Sequence, residues 1–199
     1  EYGELKNITL NLGTSALFWG QPHAVDLALF FSGDVALEYV QAELDLDPTS
    51  VVGRTVDLDP LVRFAHLRFK NGLSAFIVPG DSYDVHLVLS RGQITVRNNG
   101  LQIEERRPSK KSNYSDALFS CTSYGGCGKF PSPTLVCMSS LAKAVLEGMY
   151  LSSGLDLAVT NQEVLFGMLG SHLSDGARIK LPVVREGWIM NARTGNYFA

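Results

Sequence analysis

The sequence predicts an α+β fold: a mostly antiparallel, open-faced β-sheet with helices packed on one of its faces. Short segments of alternating apolar and polar residues are concentrated between positions 36 and 106, where turn dipeptides separate them. Most of the helical periodicity follows, between positions 135 and 174. Strands and helices that are separated along the chain favour an α+β arrangement over an alternating one. With 199 residues, 45% of them hydrophobic, the chain is long enough to bury the core of a single domain.

The first two elements are predicted to be a strand and a helix. Apolar and polar residues alternate over positions 5–12, which is typical of a strand. Pro22 suits the first turn of a helix, where its missing N–H loses no hydrogen bond, and Ser32-Gly33 is a typical helix end. We therefore predict a helix that begins near Pro22 and ends at Ser32.

The start of this helix is the one segment in which residue chemistry and local geometry both indicate a functional site. His23 lies in the predicted first turn, and Asp26 follows three residues later, on the same helix face. Histidine exchanges protons near neutral pH and suits proton transfer. We therefore regard His23 as the candidate reactive residue.

The middle of the chain is predicted to form most of the sheet. A long strand over 36–46 ends at Asp47-Pro48. Further short strands are predicted between turn dipeptides such as Asn99-Gly100, and we expect them to form an antiparallel meander with one apolar and one mixed face. These strands cover 62–70, 73–78, 83–89, 93–97 and 101–106. Phe64, Phe76 and Val88 make the mixed face too apolar for water alone, which predicts a homo-oligomer that associates through this open face.

The last part of the chain is predicted to be mainly helical. A polar, glycine-rich stretch over 108–133 has no periodicity and is predicted to be a long loop. A helix is predicted over 135–150. Thr160-Asn161-Gln162-Glu163 has the pattern of a capping box that begins a second helix, running to about Ser174. A short closing strand is predicted over 179–183.

Composition and motifs argue against several classes of function. The net charge of -3 is unlike that of a nucleic-acid binder, and no apolar run approaches the roughly 20 residues of a membrane span. We predict no nucleic-acid partner, no membrane partner and a cytoplasmic location. No glycine fingerprint for a dinucleotide is found, and the glycine-rich segment 125–130 lacks the phosphate-loop pattern. The three cysteines are interpreted as reduced thiols, with no metal site: Cys121, Cys127 and Cys137.

The motif around His23 is part of a longer pattern. His23-Ala24-Val25-Asp26-Leu27 precedes an apolar helix ending near Gly33-Asp34, and Phe69-Lys70-Asn71-Gly72, the segment 91–96 and the segment 179–182 follow in order. In these motifs and their spacing the sequence resembles the glucose-fructose oxidoreductase/inositol dehydrogenase/rhizopine catabolism (Gfo/Idh/MocA) family. The resemblance extends over most of the chain.

The resemblance implies a C-terminal, glyceraldehyde-3-phosphate-dehydrogenase-like domain. Residues 1–199 would then be one substrate-binding and oligomerisation domain of an NAD(P)-dependent oxidoreductase that acts on a sugar, inositol or related polyol by hydride transfer. The expected N-terminal dinucleotide-binding domain is absent from the sequence given, which begins almost directly with a strand. NAD or NADP would be bound mainly by that missing domain. The resemblance therefore predicts no cofactor-binding residue on this chain and no turnover by the chain alone.

The resemblance also assigns site residues. His23 matches the catalytic histidine of the family, which shares proton transfer with an aspartate four residues earlier and a lysine of the other domain. That aspartate is replaced here by Trp19, whose indole cannot exchange a proton near neutral pH but can stack on a sugar ring. Gln21 is expected to bind a ring hydroxyl, and Asp26 either orients the imidazole or faces solvent. The replacement leaves open the alternative of a non-catalytic ligand-sensing or dimerisation module with the same architecture.

Overall fold

The computed structural model of the chain describes residues 2–13, 15–33, 35–80, 82–108, 119–125, 132–149, 154–183 and 187–191. In chain order, the elements are β1 (Leu5–Leu12), α1 (Gln21–Ser32), β2 (Leu37–Asp45), β3 (Val51–Val52), β4 (Thr55–Val56), β5 (Leu61–Phe69), β6 (Ser74–Val78), β7 (Tyr83–Leu89), β8 (Gly92–Arg97), β9 (Gln102–Pro108), β10 (Phe119–Gly125), α2 (Pro133–Glu147), α3 (Leu155–Leu173), β11 (Ile179–Lys180) and β12 (Ile189–Met190). A 3₁₀ turn over Pro48–Ser50 follows β2.

The large sheet is mixed at its centre. Its strands lie in the order β10-β9-β8-β7-β1-β6-β5-β2-β11, and β12, β4 and β3 form a second, small sheet. The predicted meander is wrong at one point, because β1 lies between β6 and β7 and pairs parallel with β6. The physical reason is burial: Ile8 and Leu10 of β1 are fully buried, so this strand belongs in the middle of the sheet. Local periodicity identifies a strand but not its partners.

The core lies between the sheet and two helices, α1 and α3. Fully buried side chains of β1 and β5, including Ile8 and Phe69, pack in one cluster with Val25 of α1 and Leu165 of α3. Each such side chain stabilises the fold by about 1.5–3 kcal/mol relative to an exposed one. α3 approaches the sheet closely at Gly167, where a Cβ atom would lie 2.6 Å from Val40 Cγ1. The helix that carries His23, α1, packs against both β1 and α3.

The opposite face of the sheet has no helix packed on it within the described residues. Across the central strands, neighbouring positions on this face are occupied by His66, Phe76, Thr9 and His86. The His66 ring stacks on Phe76 with centroids 4.6 Å apart, and these four residues are all partly buried. The sheet is thus open-faced, as predicted, with a mixed aromatic and polar outer face.

Two predicted elements near the end of the chain differ in the structure. α3 begins at Leu155 rather than at the predicted capping box, and the Thr160 hydroxyl donates to the Asp156 carbonyl within the helix. The prediction was wrong because a serine or threonine inside a helix can bond the preceding turn as readily as it caps one. The predicted loop over 108–133 contains β10, which pairs antiparallel with β9, while 109–118 and 126–131 lie outside the described residues.

The other predicted elements are confirmed to within a few residues. α1 begins at Gln21 with Pro22 in its first turn and ends before Gly33, whose φ of 69° favours glycine. α2 lies largely exposed to solvent, and its Cys137 is a free thiol. Among the described helices, none is both long enough and apolar enough to cross a membrane.

Candidate functional site

A cleft of about 650 Å³ lies where the start of α1 meets the ends of β1 and β7. The register of the sheet explains its position, because Leu12 at the end of β1 pairs with Tyr83 at the start of β7. Three of the four sequence-predicted site residues line it. Among the described residues, those that line it are Leu12, Ser15, Trp19, Gly20, His23, Asp26, Leu27, Tyr83 and Asn99.

His23 is an exposed residue in the first turn of α1 and lines the cleft. Its backbone N–H donates to the Gly20 carbonyl at 3.3 Å. Among the described residues, no side chain forms a hydrogen bond with its imidazole. Both ring nitrogens are therefore available to a ligand, as proton acceptor or donor.

Asp26 also lines the cleft, but its carboxylate bonds to a residue of α3. The side-chain amide of Asn161 donates to Asp26 Oδ1 at 2.5 Å and to the Pro22 carbonyl at 2.8 Å. Asn161 is almost fully buried, and both of its partners are acceptors, which fixes the orientation of its amide. This contact ties the turn that carries His23 to α3, a connection that neither sequence-based alternative for Asp26 included.

Trp19 and Gln21 occupy different positions relative to the cleft. Trp19 is 44% exposed and contributes an aromatic wall. Gln21 is only 2% exposed and does not line the cleft, but its Nε2 donates to Ser15 Oγ at 3.0 Å. Gly20 allows this arrangement, because a Cβ atom on it would lie 2.3 Å from Ser15 Oγ. Gln21 therefore holds the side chain of Ser15, which lines the cleft, without lining the cleft itself.

Sequence reasoning missed Ser15, Tyr83 and Asn99 as residues of the cleft. Tyr83 and Asn99 line the cleft although they lie far from His23 along the chain. The Asn99 N–H donates to the Tyr83 carbonyl at 2.9 Å. The Asn99-Gly100 dipeptide is detectable as a turn, but only the insertion of β1 beside β7 brings that turn to α1. All three add hydroxyl or amide groups, which bind neutral hydroxylated ligands.

A second cavity, of about 540 Å³, lies along α3 and is mainly apolar. Phe166, Val159 and Trp188 line it. In the part of the chain that the structure describes, it shares no lining residue with the His23 cleft. Within the described residues, no group of three or more potential metal ligands is found.

His66 lies on the open face of the sheet and outside the cleft. Burial lowers the pKa of His66, and the nearby positive charges of Arg68 and Arg178 lower it further. Its Nε2 is 3.0 Å from Ser74 Oγ. The packing around His66 accounts for the lowered pKa. Neither the His23 cleft nor the apolar cavity along α3 is lined by His66.

Comparison with solved structures supports the same fold. The chain is similar to levoglucosan dehydrogenase in complex with NADH and levoglucosan, with a TM-score of 0.63, 15% identity and coverage of 92% of this chain and 60% of that chain. It is also similar to the WlbA dehydrogenase from Bordetella pertussis in complex with NADH and UDP-GlcNAcA, with a TM-score of 0.57, 16% identity and coverage of 92% and 56%. Aldose-aldose oxidoreductase from Caulobacter crescentus complexed with glycerol gives a TM-score of 0.67, 14% identity and coverage of 90% and 56%.

These similarities confirm the predicted fold, which is that of the C-terminal domain of Gfo/Idh/MocA-type oxidoreductases. The chain spans about 56–60% of the length of these structures. No protein-family model matches the sequence, and no curated protein matches it.

Proposed function

We propose that this chain is the substrate-binding and oligomerisation domain of an NAD(P)-dependent oxidoreductase that acts on a sugar, inositol or related polyol. The observation that carries the proposal is the placement of His23, exposed and without a side-chain partner among the described residues, in a cleft beside Trp19. The similar structures are dehydrogenases and oxidoreductases, several of them complexes with NADH, sugars or glycerol. In this proposal a dinucleotide-binding domain precedes residues 1–199, which form one domain.

The residues of the cleft fit one end of a nicotinamide cofactor. Trp19 offers an exposed aromatic surface, and Ser15, Tyr83 and Asn99 offer uncharged polar groups, which suit a nicotinamide ring and a polyol. A pyrophosphate is best held by cationic side chains or a glycine-rich helix start, so we assign it to the other domain. When bound, the nicotinamide supplies the hydride chemistry.

His23 is the proposed proton-transfer residue. Its imidazole takes the proton of a substrate hydroxyl when the carbinol carbon is oxidised and returns it in the reverse direction. Trp19 stacks on the apolar face of the sugar ring and excludes water from that side. Asp26 and Gln21 act as positioning residues: Asp26 fixes the first turn of α1 through Asn161, and Gln21 holds Ser15.

The open face of the sheet is the proposed homo-oligomer surface. Phe64 and Phe76 lie on it with ring centroids 6.0 Å apart, beside the stacked ring of His66. Burying these rings against a second copy removes apolar surface from water. Phe76→Lys is expected to lower the sedimentation coefficient of the purified protein to that of a smaller species, and an unchanged value would contradict this assignment.

The enzymatic proposal is tested on the longer protein, with the preceding domain present. Sugars and inositols are assayed for nicotinamide reduction in the unaltered protein, in His23→Gln and in His172→Gln as a matched control. His172 lies in the last turn of α3, where its Nδ1 accepts a hydrogen bond from the Leu44 N–H, away from both the cleft and the open face. His23→Gln is expected to lower kcat by about 10²–10⁴, while the control keeps its activity. Equal activity in all three proteins would overturn the role of His23.

Trp19 favours a second candidate, a non-catalytic sugar sensor. It stands four residues before His23, where the family pattern has an acidic residue. The sensor would be supported if the longer protein binds sugars without turnover and His23→Gln binds the same sugars. If no sugar or polyol shifts the melting temperature, a dimerisation module is the better description.

A cytoplasmic location is part of the main proposal and is tested by cell fractionation.

A further inference from the structure

The turn between β8 and β9, residues 98–101, forms part of the cleft wall and is built in an unusual way. Asn98 and Asn99 both have positive φ, at 49° and 55°. Asparagine tolerates this left-handed conformation better than most residues, but glycine adopts it without a penalty. Glycine would therefore serve the backbone of this turn at least as well. Of the two residues, Asn99 lines the cleft and Asn98 does not.

The turn is held by contacts that fix Asn99 before any ligand arrives. The Asn99 N–H donates to the Tyr83 carbonyl at 2.9 Å. The Asn98 N–H donates to Asp84 Oδ1 at 3.0 Å, and Asp84 is only 7% exposed. The other oxygen of this buried carboxylate faces Arg97 Nη1 at 3.4 Å. A paired, buried carboxylate therefore anchors the backbone of an exposed turn.

Buried charges are costly unless they are paired and hydrogen-bonded, so a carboxylate devoted to one turn indicates that the position of the turn matters. The Asn99 amide offers one acceptor and two donors at the cleft. Neighbouring hydroxyls of a sugar or cyclic polyol present the same combination of donors and acceptors. Tyr83 and Ser15 also line the cleft, and with Asn99 they give it neutral polar residues.

Resting on the proposed function, we propose that Asn99 is a specificity-determining residue that binds hydroxyls of a neutral polyol or sugar in the His23 cleft, and that Asp84 is the positioning residue that presents it. His23 acts at the reacting hydroxyl, whereas Asn99 binds hydroxyls away from it. Asn99 thus contributes to affinity and to the choice among stereoisomers, and has little influence on the chemical step.

The turn provides a matched pair of variants. Asn99→Gly and Asn98→Gly each remove one asparagine side chain at a position of positive φ, where glycine preserves the backbone. In the longer protein, with levoglucosan, myo-inositol and D-glucose as probes, Asn99→Gly is expected to raise KM about tenfold, the effect of one or two lost hydrogen bonds. Its kcat is expected to stay within about twofold, and Asn98→Gly is expected to leave KM unchanged.

Asp84 is tested through its dependence on Asn99. Asp84→Ala is expected to raise KM as Asn99→Gly does, and the double variant is expected to be no worse than either, because Asp84 acts through Asn99. Asp84→Asn keeps an acceptor for the Asn98 N–H and is expected to restore most of the affinity. Additive losses in the double variant would show that Asp84 affects binding independently of Asn99, and an unchanged KM in Asp84→Ala would show that it supports stability alone; either result would overturn its positioning role.

The outcomes separate this inference from the proposed function. If His23→Gln abolishes turnover while Asn99→Gly leaves KM unchanged for every accepted probe, the role of Asn99 is refuted and the proposed function stands. If Asn98→Gly raises KM as much as Asn99→Gly, the effect comes from the backbone of the turn and the inference is again refuted. If no probe binds the unaltered protein, both the inference and the proposed function are contradicted.

Discussion

The contact between α1 and α3 through Asn161 offers a sharp test of how the His23 turn is held. Asn161→Asp replaces the side-chain NH₂ group by an acceptor oxygen of about the same size. In the unaltered protein this NH₂ group donates to Asp26 Oδ1 at 2.5 Å and to the Pro22 carbonyl at 2.8 Å. The variant therefore loses both hydrogen bonds and places two carboxylates together. Because both partners are acceptors, rotation of the new side chain does not relieve the conflict.

The structure gives the size of the expected effect. Losing the donor to the charged Asp26 carboxylate costs about 2 kcal/mol, and losing the bond to the Pro22 carbonyl costs about 1 kcal/mol. Repulsion between the two carboxylates adds about 1–2 kcal/mol, since Asp26 is exposed to solvent that screens its charge. We expect Asn161→Asp to lower the free energy of unfolding by about 4–5 kcal/mol in total.

Urea unfolding followed by circular dichroism measures this change, with an unchanged m-value as the check on two-state behaviour. The matched control is the exchanged pair Asp26→Asn with Asn161→Asp, which restores a hydrogen bond with donor and acceptor reversed. About 3–4 kcal/mol should return, because the exchanged pair restores one hydrogen bond and removes the repulsion between the carboxylates, while the bond to Pro22 stays lost. A loss below about 0.5 kcal/mol in the single variant, or no recovery in the exchanged pair, would refute the reasoning.

Three further predictions concern packing and pH. Gly167→Ala should lower the free energy of unfolding by about 1–2 kcal/mol in urea titrations, because overlap with Val40 Cγ1 outweighs the gain in helix propensity; a more stable variant would contradict the close packing. Because burial and nearby guanidinium groups lower the pKa of His66, its stabilising effect should be complete above pH 6.5 and lost as pH falls through its lower folded value. His66→Gln should flatten that part of the stability profile, and an unaltered profile would count against it. Gly20→Ala should displace Ser15, because the added Cβ atom would lie 2.5 Å from Ser15 Cβ, and it should therefore lower the melting temperature without sugar and weaken the sugar-induced shifts; an unchanged melting temperature would contradict this close contact.

The sequence predicts the local elements of this fold well because their signals are local. The proline and the serine-glycine pair at the ends of α1 fix its bounds to within a residue, and turn dipeptides separate the strands of the sheet. The start of α3 was misplaced because Thr160 carries a capping pattern inside a helix that is already formed. No local signal distinguishes these two uses of threonine.

The candidate site was predictable only on one side. His23, Trp19 and Asp26 are neighbours in sequence, and helix periodicity places His23 and Asp26 on one face of α1. Tyr83 and Asn99 reach the cleft because β1 is inserted between β6 and β7, which pairing preferences along the chain do not reveal. The remaining part of the site therefore depends on the topology of the sheet, and no sequence motif indicates it.

Mapping of ligand binding by NMR tests the central claim most directly, because the two tryptophans of the chain line separate cavities. Trp19 lies in the His23 cleft, and Trp188 lies in the apolar cavity along α3. On titration with levoglucosan or myo-inositol, we predict saturable shifts of the Trp19 indole and His23 imidazole signals, with the Trp188 indole unchanged. Saturable shifts at Trp188 alone, or none at Trp19 and His23 in a longer protein that turns over the same sugar, would contradict the account.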